Sequence, residues 1–557
     1  MTLQMRISSF RLSRIHLLAL FILGAALSLK LVQSAGLNQS ENKVQAAALV
    51  PNDLADYIEA IALDDSGAIY VVGKTTSEYF PLVNPFQSTY GGGESDGFIA
   101  VFAPDGQSLQ YSTYIGGSDF DIIKDIAISD SGRIVVTGAT GSADFPLDNP
   151  YQPNIAGFSD GFVMVFEPDF LGLTYSTFIG GARWDYPTDM TIASDGSIHL
   201  TGYTDSMDYP VLNPVQTYQG NYDVFVTGFS PDGQSLTYST YIGGAEDEQV
   251  YEIVLDSNGR KYITGYTESP NFPTANAYQP THGGLWDGFV TVLSTDGQSL
   301  DMSTFLGGSL SDRPYSIQLD SNNRIYIGGG TQSDNFPLVN PYQPTKNTGW
   351  DGFLTVFNLD GQSLFYSTFL GGNAYDSLTE ISVNENGRAY AVGYTFSNDF
   401  PLVNPYQLYN SGSYDIFVTS FEADGQSLLY STYLGGNMSD VGYSISLGNN
   451  GLAYIGGVTW SDNFPVLNPY QPNITGYVDG YVSILDADGQ SLQYSTYLGG
   501  AYPAMTDVSL SDLTGAKSGN TNAIPSWLWL AFGLLFFFIA SLFLGRIVGQ
   551  HKNGQQK

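Results

Sequence analysis

The chain has 557 residues, a net charge of −35 and no cysteine. The missing cysteine excludes disulfides and thiolate chemistry, and the excess of acid disfavours binding to nucleic acid or anionic lipid. Gly (64) and Tyr (39) are abundant, and glycine-rich turns combined with aromatic strands indicate an all-β protein.

The N-terminal segment, residues 1–48, has the pattern of a secretory signal. Basic residues between Arg6 and Arg14 precede an apolar run from Ile15 to Leu29, and small residues follow. This is the order of regions in a signal peptide. Cleavage near Ala35, cleavage near Ala46 and retention as a signal anchor all stay open.

A tyrosine-rich phrase recurs with a period of about 64 residues through the middle of the chain. Its first copy reads LQYSTYIGG, and the seven copies begin at Leu109, Leu173, Leu236, Leu300, Leu364, Leu428 and Leu492. Each repeat reads as four strands, A to D, joined by a tight turn, a long loop and a second tight turn. In the first copy the predicted strands are Tyr57–Leu63, Ala68–Lys74, Gly97–Ala103 and Leu109–Ile115.

Seven four-stranded sheets, each packed between two others, form a propeller. A solenoid would need distinct capping repeats, and the first and last copies here look like the middle ones. The sequence therefore predicts an all-β protein with a seven-bladed β-propeller of antiparallel blades over residues 53–503. Tyr57–Leu63 is predicted to line the channel in blade one. A further A-like stretch, Tyr502–Leu510, is interpreted as a degenerate copy or as the exit toward the membrane.

The C-terminal part is predicted to contain a linker at 504–524, a transmembrane helix at 525–545 and a basic tail at 546–557. The run from Ser526 to Leu544 has no charge and is about as long as a bilayer-spanning helix. Trp527 and Trp529 lie at one end, and the tail carries basic residues without acid. Positive charge marks the cytoplasmic side. We therefore expect a single-pass protein of the cell membrane, with the propeller outside and the C-terminus inside.

The recurring phrases resemble the SBBP family, the seven-bladed β-propeller repeat of bacterial exported and surface proteins. The matching signature is Gly-x-Thr-x-Ser-x-x-Phe-Pro, then Asp-Gly-Phe and the closing Tyr-Ser-Thr-Tyr-x-Gly-Gly, and it spans roughly Asp53 to Gly500. Met302 replaces the first Tyr of the closing phrase, and Ala277 replaces the Pro before Tyr278-Gln279. The resemblance implies the fold and an exported location. It implies no common activity.

Two polar residues recur in the loops of every copy, and we interpret both as architectural. One is an Asp at the entry to strand C: Asp96, Asp160, Asp223, Asp287, Asp351, Asp415 and Asp479. The other is a Gln in the long loop: Gln87, Gln152, Gln216, Gln279, Gln343, Gln407 and Gln471. Asp side chains bond to backbone N–H groups at turns, and the amide is expected to brace the long loop.

An acid also stands just before strand A in every copy: Asp56, Asp121, Asp185, Glu248, Asp312, Asp376 and Asp440. Sevenfold symmetry brings the starts of the innermost strands together, so we expect these acids to cluster at the channel mouth. There they are either solvated or bound to a cation. Oxygen-only ligands suit Ca²⁺, and no other cofactor is expected.

Catalytic patterns are sparse. The four histidines, His16, His199, His282 and His551, show no metal-ligand spacing, and neither a Gly-x-Ser-x-Gly elbow nor a phosphate loop occurs. We therefore expect no enzyme activity. The leading interpretation is a membrane-anchored, surface-displayed scaffold that binds a glycan or a protein partner. A structural cell-envelope protein without a discrete ligand is the alternative, and a cryptic hydrolase is the third.

Overall fold

The computed structural model describes residues 54–448 and 450–501. The predicted signal segment, the second A-like stretch, the linker, the transmembrane helix and the basic tail lie outside the described residues. Within the described part of the chain, no helix is long and apolar enough to span a membrane. All described residues belong to one compact unit.

Twenty-eight strands form seven four-stranded antiparallel sheets, in which the strands pair in the order of the sequence. The innermost strands, A, are β1 (Asp56–Leu63), β5 (Asp121–Ile128), β9 (Asp185–Ile192), β13 (Glu248–Leu255), β17 (Asp312–Leu319), β21 (Asp376–Val383) and β25 (Asp440–Leu447). The second strands, B, are β2 (Ile69–Thr75), β6 (Ile134–Thr140), β10 (Ile198–Thr204), β14 (Lys261–Thr267), β18 (Ile325–Thr331), β22 (Ala389–Thr395) and β26 (Ala453–Thr459).

The third and fourth strands complete each blade. The C strands are β3 (Asp96–Phe102), β7 (Asp160–Phe166), β11 (Asp223–Phe229), β15 (Asp287–Leu293), β19 (Asp351–Phe357), β23 (Asp415–Phe421) and β27 (Asp479–Leu485). The D strands are β4 (Leu109–Ile115), β8 (Leu173–Ile179), β12 (Leu236–Ile242), β16 (Leu300–Leu306), β20 (Leu364–Leu370), β24 (Leu428–Leu434) and β28 (Leu492–Leu498). The predicted blades are confirmed, with the bounds of the first three strands of blade one shifted by one residue.

The seven blades close into a ring. Each A strand lies against the A strands of both neighbouring blades, and β25 lies against β1. The prediction that Tyr57–Leu63 forms the channel strand of blade one is therefore confirmed. The D–A and B–C loops share one face of the ring, called here the long-loop face. The A–B and C–D turns share the opposite, turn face.

One backbone hydrogen bond recurs at all seven blade boundaries on the long-loop face. The N–H of the first residue of each A strand donates to the carbonyl of the residue that precedes the C strand of the previous blade. Between blades four and five it joins Asp312 to Trp286 at 2.7 Å. At the closure the same bond joins Asp56 to Val478 at 3.0 Å. Closure therefore uses the same contact as every internal boundary.

Apolar side chains fill the spaces between blades. Every residue of each C strand is buried, because a neighbouring blade covers each face of the sheet. Phe98 and Ile58 are fully buried, and burial of such a side chain contributes about 1.5–3 kcal/mol. At the boundary between blades seven and one this packing is close: a Cβ on Gly480 would lie 2.8 Å from Ile58 Cγ1.

The outer edge of each blade is covered by its own long loop. In blade one, Val83 and Gln87 of the loop form isolated antiparallel bridges to Ser112 and Tyr114 of strand β4. Equivalent bridges recur in every blade. Because exposed edges invite pairing with other chains, these loops limit aggregation of the propeller.

Candidate functional site

The acids at the starts of the A strands are fully buried, not exposed at the channel mouth. Asp185 is typical of the set: its carboxylate accepts hydrogen bonds from Gly181 N–H at 2.7 Å, Ser206 Oγ at 2.9 Å and Thr204 Oγ1 at 2.5 Å. Glu248 makes the corresponding bonds with Gly244 and Thr267. The expectation of solvated acids clustered around the channel is therefore wrong, because each acid is enclosed by polar groups of the adjoining loops.

Each buried acid lies close to the C-strand Asp of the previous blade. A Cβ on Gly180 would contact both Asp160 and Asp185, which shows how closely the two carboxyl groups flank this glycine. Burial raises the pKa of Asp185 to about 7, and the charge of Asp160 adds to the rise. Burial likewise raises the pKa of Asp56 to about 8, with Asp479 adding to it.

The C-strand Asp and the loop Gln form the brace that the sequence indicates. Asp160 accepts hydrogen bonds from the N–H groups of Ala156 and Gly157 at 2.9 and 3.0 Å. Gln152 donates to Asp160 at 2.6 Å, and its carbonyl accepts from Gly180 N–H at 3.1 Å. The amide thus joins the long loop, strand C and the D–A loop. The architectural interpretation of both residues is confirmed.

No group of three or more Asp, Glu or His side chains in the described ranges is arranged to hold a metal ion. Binding of Ca²⁺ by the seven buried acids stays a prediction. Thermal unfolding with CaCl₂ against a matched NaCl control tests it, because a ligand that binds only the folded state raises the melting temperature.

A β-bulge in every A strand turns two consecutive residues toward the central channel. The bulge lies at the fourth residue of each strand, for example at Glu59 in β1 and at Tyr251 in β13. The fourth and fifth residues line a central cavity of about 600 Å³ together with tyrosines such as Tyr186 and Tyr203. Bulges commonly redirect side chains in this way.

The fifth residue of an A strand makes a hydrogen bond to the next blade, which we call a latch. Its side chain accepts the backbone N–H of the sixth residue in the A strand of that blade. Six of the seven boundaries carry one: Asp125 to Met190, Asp189 to Ile253, Glu252 to Ile317, Ser316 to Ile381, Glu380 to Ile445 and Ser444 to Ile61.

The four acidic latch residues have raised pKa values. Burial raises the pKa of Glu252 to about 7, and burial is the first cause at Asp125, Asp189 and Glu380 as well. The Asp125 carboxyl raises the pKa of Asp189 further. The channel therefore favours protonated carboxyl groups over several negative charges.

The long-loop face carries an aromatic groove, defined by Trp286, Trp350 and Tyr375. Each stands immediately before a strand: β15, β19 and β21 respectively. The groove has a volume of about 580 Å³, and Arg313, Gln332 and Glu268 add polar side chains to its lining. Leu285 and Ser311 also line it. Backbone bonds fix this rim, because Trp350 O accepts the Asp376 N–H at 2.9 Å.

Arg313 lies among the rings of the aromatic groove. Its guanidinium carbon is 3.8 Å from the ring centre of Trp286 and 5.3 Å from that of Trp350. Its Nε is buried and has no hydrogen-bond partner among the described residues. Cation–π contacts therefore hold the arginine and both indoles in place.

A polar pocket of about 670 Å³ adjoins the aromatic groove, with Gln332 common to both. Asn347, Thr348 and Asn373 line it. Lys346, also in the lining, donates to the carbonyl of Gly349 at 2.8 Å. A stacking surface thus continues into a hydrogen-bonding surface.

Sequence reasoning missed the latch acids and the aromatic groove. The signal for the latches was present: Asp125, Asp189, Glu252 and Glu380 all stand at the fifth position of an A strand. In a regular strand, side chains alternate between the two faces of the sheet, and this alternation does not direct the four acids toward the channel. The β-bulge one residue earlier does. Trp286 and Trp350 share one repeat position, but other blades have Ser95, Ser159 or Val478 there, so a search for residues present in all seven copies does not find them.

A closed ring of seven four-stranded sheets defines this protein as a seven-bladed β-propeller. The family model described as SBBP, β-propeller repeat, matches residues 237–273 and 303–337. The chain therefore carries SBBP repeats, and the resemblance that the sequence shows is confirmed.

One curated relative is the regulatory protein FlaEY of Caulobacter vibrioides, 24% identical over 324 residues. The match covers 54% of this chain and 33% of FlaEY, so the chain spans about a third of that relative.

Among solved structures, polysaccharide lyase Uly1 is 11% identical, with 76% of this chain and 90% of that one covered at a TM-score of 0.39. The quinohemoprotein alcohol dehydrogenase of Comamonas testosteroni is 9% identical, with 73% and 71% covered at a TM-score of 0.36. At such TM-scores these chains indicate nothing about the activity of this one.

Proposed function

We propose that the propeller is a binding protein that takes a glycan into the aromatic groove of its long-loop face. The observation that carries the proposal is the composition of that groove. Three aromatic side chains and three planar polar side chains line one open pocket. Binding pockets commonly combine apolar walls with a few oriented polar groups.

Sugars present both kinds of surface to such a pocket. The C–H face of a pyranose ring stacks on the indoles of Trp286 and Trp350, while its hydroxyl groups bond to Gln332 and Glu268. Glu268 accepts hydrogen bonds, and Gln332 both donates and accepts them. Arg313 also lines the groove, and a guanidinium donates hydrogen bonds, for which a ring or hydroxyl oxygen of the sugar is a suitable acceptor.

A glycan array probed with the soluble fragment 53–515 tests this proposal. The fragment contains all strands and every closure contact of the ring. We expect a selective set of glycans to bind. Trp286→Ala should weaken binding of the best glycan at least about tenfold, which corresponds to about 1.4 kcal/mol.

Tyr409→Ala is the matched control, because Tyr409 is an aromatic residue of a long loop that is 75% exposed and lies outside the groove lining. Its affinity should equal that of the unchanged fragment. Circular dichroism checks that both variants are folded. Absence of any glycan binding, or an equal loss in the two variants, contradicts the proposal and favours the structural cell-envelope alternative.

We also propose that the propeller is displayed outside the cell membrane and anchored by the C-terminal helix. The uncharged run at 526–544 and the basic residues after it support this orientation. Protease added to intact cells should remove the propeller and spare the tail. Protection of the propeller would overturn the orientation.

We propose that the propeller binds its glycan without cleaving it. The competing possibility is a cryptic hydrolase. Asp125 and Asp189 are neighbouring carboxyl groups in the central cavity, and paired carboxyls can hydrolyse glycosides. Incubation of the fragment with its best glycan, followed by chromatography of the products, separates the two. We expect the glycan to be recovered intact.

A further inference from the structure

A second aromatic surface lies on the long-loop face at blades two and three. It consists of Phe120, Phe158 and Trp184, and we call it the ring ladder. The ring centres of Phe120 and Trp184 are 6.2 Å apart with an interplanar angle of 24°, and those of Phe158 and Trp184 are 6.3 Å apart at 28°. The three rings thus form one nearly parallel series.

Folding of the repeat does not require these rings. Phe158 is 70% exposed and Trp184 is 43% exposed, so neither contributes its full area to a core. At the position of Trp184, directly before strand A, other blades have Ala55, Asp247 and Ser311. Blades with small or polar residues there adopt the same strands. The exposed rings therefore call for a role outside the fold.

The backbone holds the ring ladder in place. Phe158 N–H donates to Arg183 O at 3.0 Å. Trp184 N–H donates to Asp205 Oδ1 at 2.8 Å, and the Asp205 N–H returns a bond to Trp184 O at 3.2 Å. Because these bonds fix the backbone before any ligand arrives, less conformational entropy is lost on binding.

Polar groups flank the rings as they do in the aromatic groove. Arg183, whose side chain is 57% exposed, forms a 3.5 Å ion pair with Asp205. An arginine and a carboxylate beside stacked rings again suit the hydroxyl groups and the C–H faces of a sugar. The ring ladder thus has the same chemistry as the groove.

Both surfaces lie on the same face of the propeller. Trp184 precedes an A strand and Trp286 precedes a C strand, and A and C strands run in the same direction because the blades are antiparallel meanders. The ladder lies at blades two and three, and the groove lies at blades four to six.

We propose that the ring ladder is a second subsite for the same ligand, so that the ligand is an extended polysaccharide chain and not a terminal sugar. This inference rests on the proposed glycan binding at the groove. One chain that occupies both surfaces gains affinity because the second contact forms intramolecularly. An oligosaccharide too short to span the two surfaces contacts only one of them.

Titration calorimetry with a homologous series of the best array glycan, from disaccharide to octasaccharide, tests the inference. For the soluble fragment 53–515 we expect affinity to rise with chain length and then level off, by at least about tenfold overall. Trp184→Ala should remove this gain and leave the affinity for the shortest binding oligosaccharide unchanged. Trp286→Ala should weaken every length.

The controls separate the two proposals. Leu359→Ala removes an exposed apolar side chain from the turn face and should behave like the unchanged fragment. Phe158→Ala provides a second test of the ladder if Trp184→Ala fails to fold. Two results overturn this inference and leave glycan binding intact. One is binding of short oligosaccharides whose affinity does not rise with chain length. The other is a rise in affinity with chain length that persists in both ladder variants. Absence of all glycan binding overturns both.

Discussion

The carboxylate of Asp189 accepts a 2.6 Å hydrogen bond from the backbone N–H of Ile253 in the next blade. The latches place such a bond at six of the seven boundaries beside the channel. At the remaining boundary the latch position is Ala60, and Lys124 of blade two instead forms a 2.6 Å ion pair with Glu59 of blade one. Side chains of the channel wall therefore tie neighbouring blades together in every case.

Removal of a latch acceptor should destabilise the propeller. In the Glu380→Ala variant the buried N–H of Ile445 loses its partner, and an unsatisfied buried donor costs about 1–3 kcal/mol. Glu380→Gln keeps an acceptor and removes a charge, so we expect stability at pH 8 at least equal to that of the unchanged fragment. Urea denaturation of fragment 53–515 measures both. Equal loss in the two variants would show that the charge itself is needed.

The acids at the A-strand starts should be more important for stability than exposed acids. Asp312 accepts bonds from Gly308 N–H at 2.6 Å and from Ser333 Oγ at 2.9 Å, and Thr331 donates a third. Asp312→Ala leaves these buried donors without an acceptor, so we expect a loss of at least about 3 kcal/mol. Asp130→Ala, at an exposed turn position, is the control. A loss below 1 kcal/mol for Asp312→Ala, about the size of one ordinary hydrogen bond, would contradict this role.

The fold could be predicted from the sequence because of the repeats. Seven copies of each phrase fix the strands within one residue, because tight-turn residues and aromatic strands recur at the same spacing. Asn323 stands where the A–B turns of the other six blades have glycine, and its φ is 59°. The bounds of a single strand are ambiguous from its sequence alone. Seven aligned copies reduce this ambiguity, because the same turn and strand residues recur in each.

The site was less predictable, for physical reasons. Asp312 and its counterparts were placed correctly in the chain, but their environment depends on Gly, Ser and Thr donors from two different loops. The direction of Glu252 depends on a bulge one residue earlier. The aromatic groove depends on Trp286 and Trp350, which differ from their counterparts in other blades. A site formed by non-repeated residues of different blades is recognised only once the structure shows that they are neighbours.

A positive φ at Asn323 gives a test of turn strain. Residues with a Cβ pay about 1–2 kcal/mol in the left-handed region, and Asn is among the few that adopt it readily. We expect Asn323→Ala to lower the free energy of unfolding by about 1 kcal/mol and Asn323→Gly to leave it unchanged or higher. Urea denaturation measures the difference. An alanine variant as stable as the glycine variant would show that φ at this turn relaxes freely.

The many buried carboxyls should make the propeller less stable as the pH rises. Burial raises the pKa of Asp376, Asp185 and Glu252 to about 7, whereas unfolded carboxyls titrate near about 4. Between these values the folded state binds more protons than the unfolded state, so the free energy of unfolding falls with rising pH. The stabilisation from these groups is complete below about pH 4 and is lost as the pH passes through about 7.

A few exposed turn acids act in the opposite direction at lower pH. Hydrogen bonds from Ser118 hold the pKa of Asp144 below its usual value, so its contribution is lost as the pH falls below about 4. We therefore expect maximum stability near about pH 4–5 and a steady loss toward pH 8. Between about pH 4 and 7, each group with a folded pKa of about 7 lowers the free energy of unfolding by about 1.4 kcal/mol per pH unit. Urea denaturation of fragment 53–515 at pH 5, 6, 7 and 8 measures the slope, and Glu380→Gln, which removes one titrating latch, should make it shallower. Stability that is flat or rises over this range would mean that the buried carboxyls stay ionised, held by the Gly, Ser and Thr donors around them.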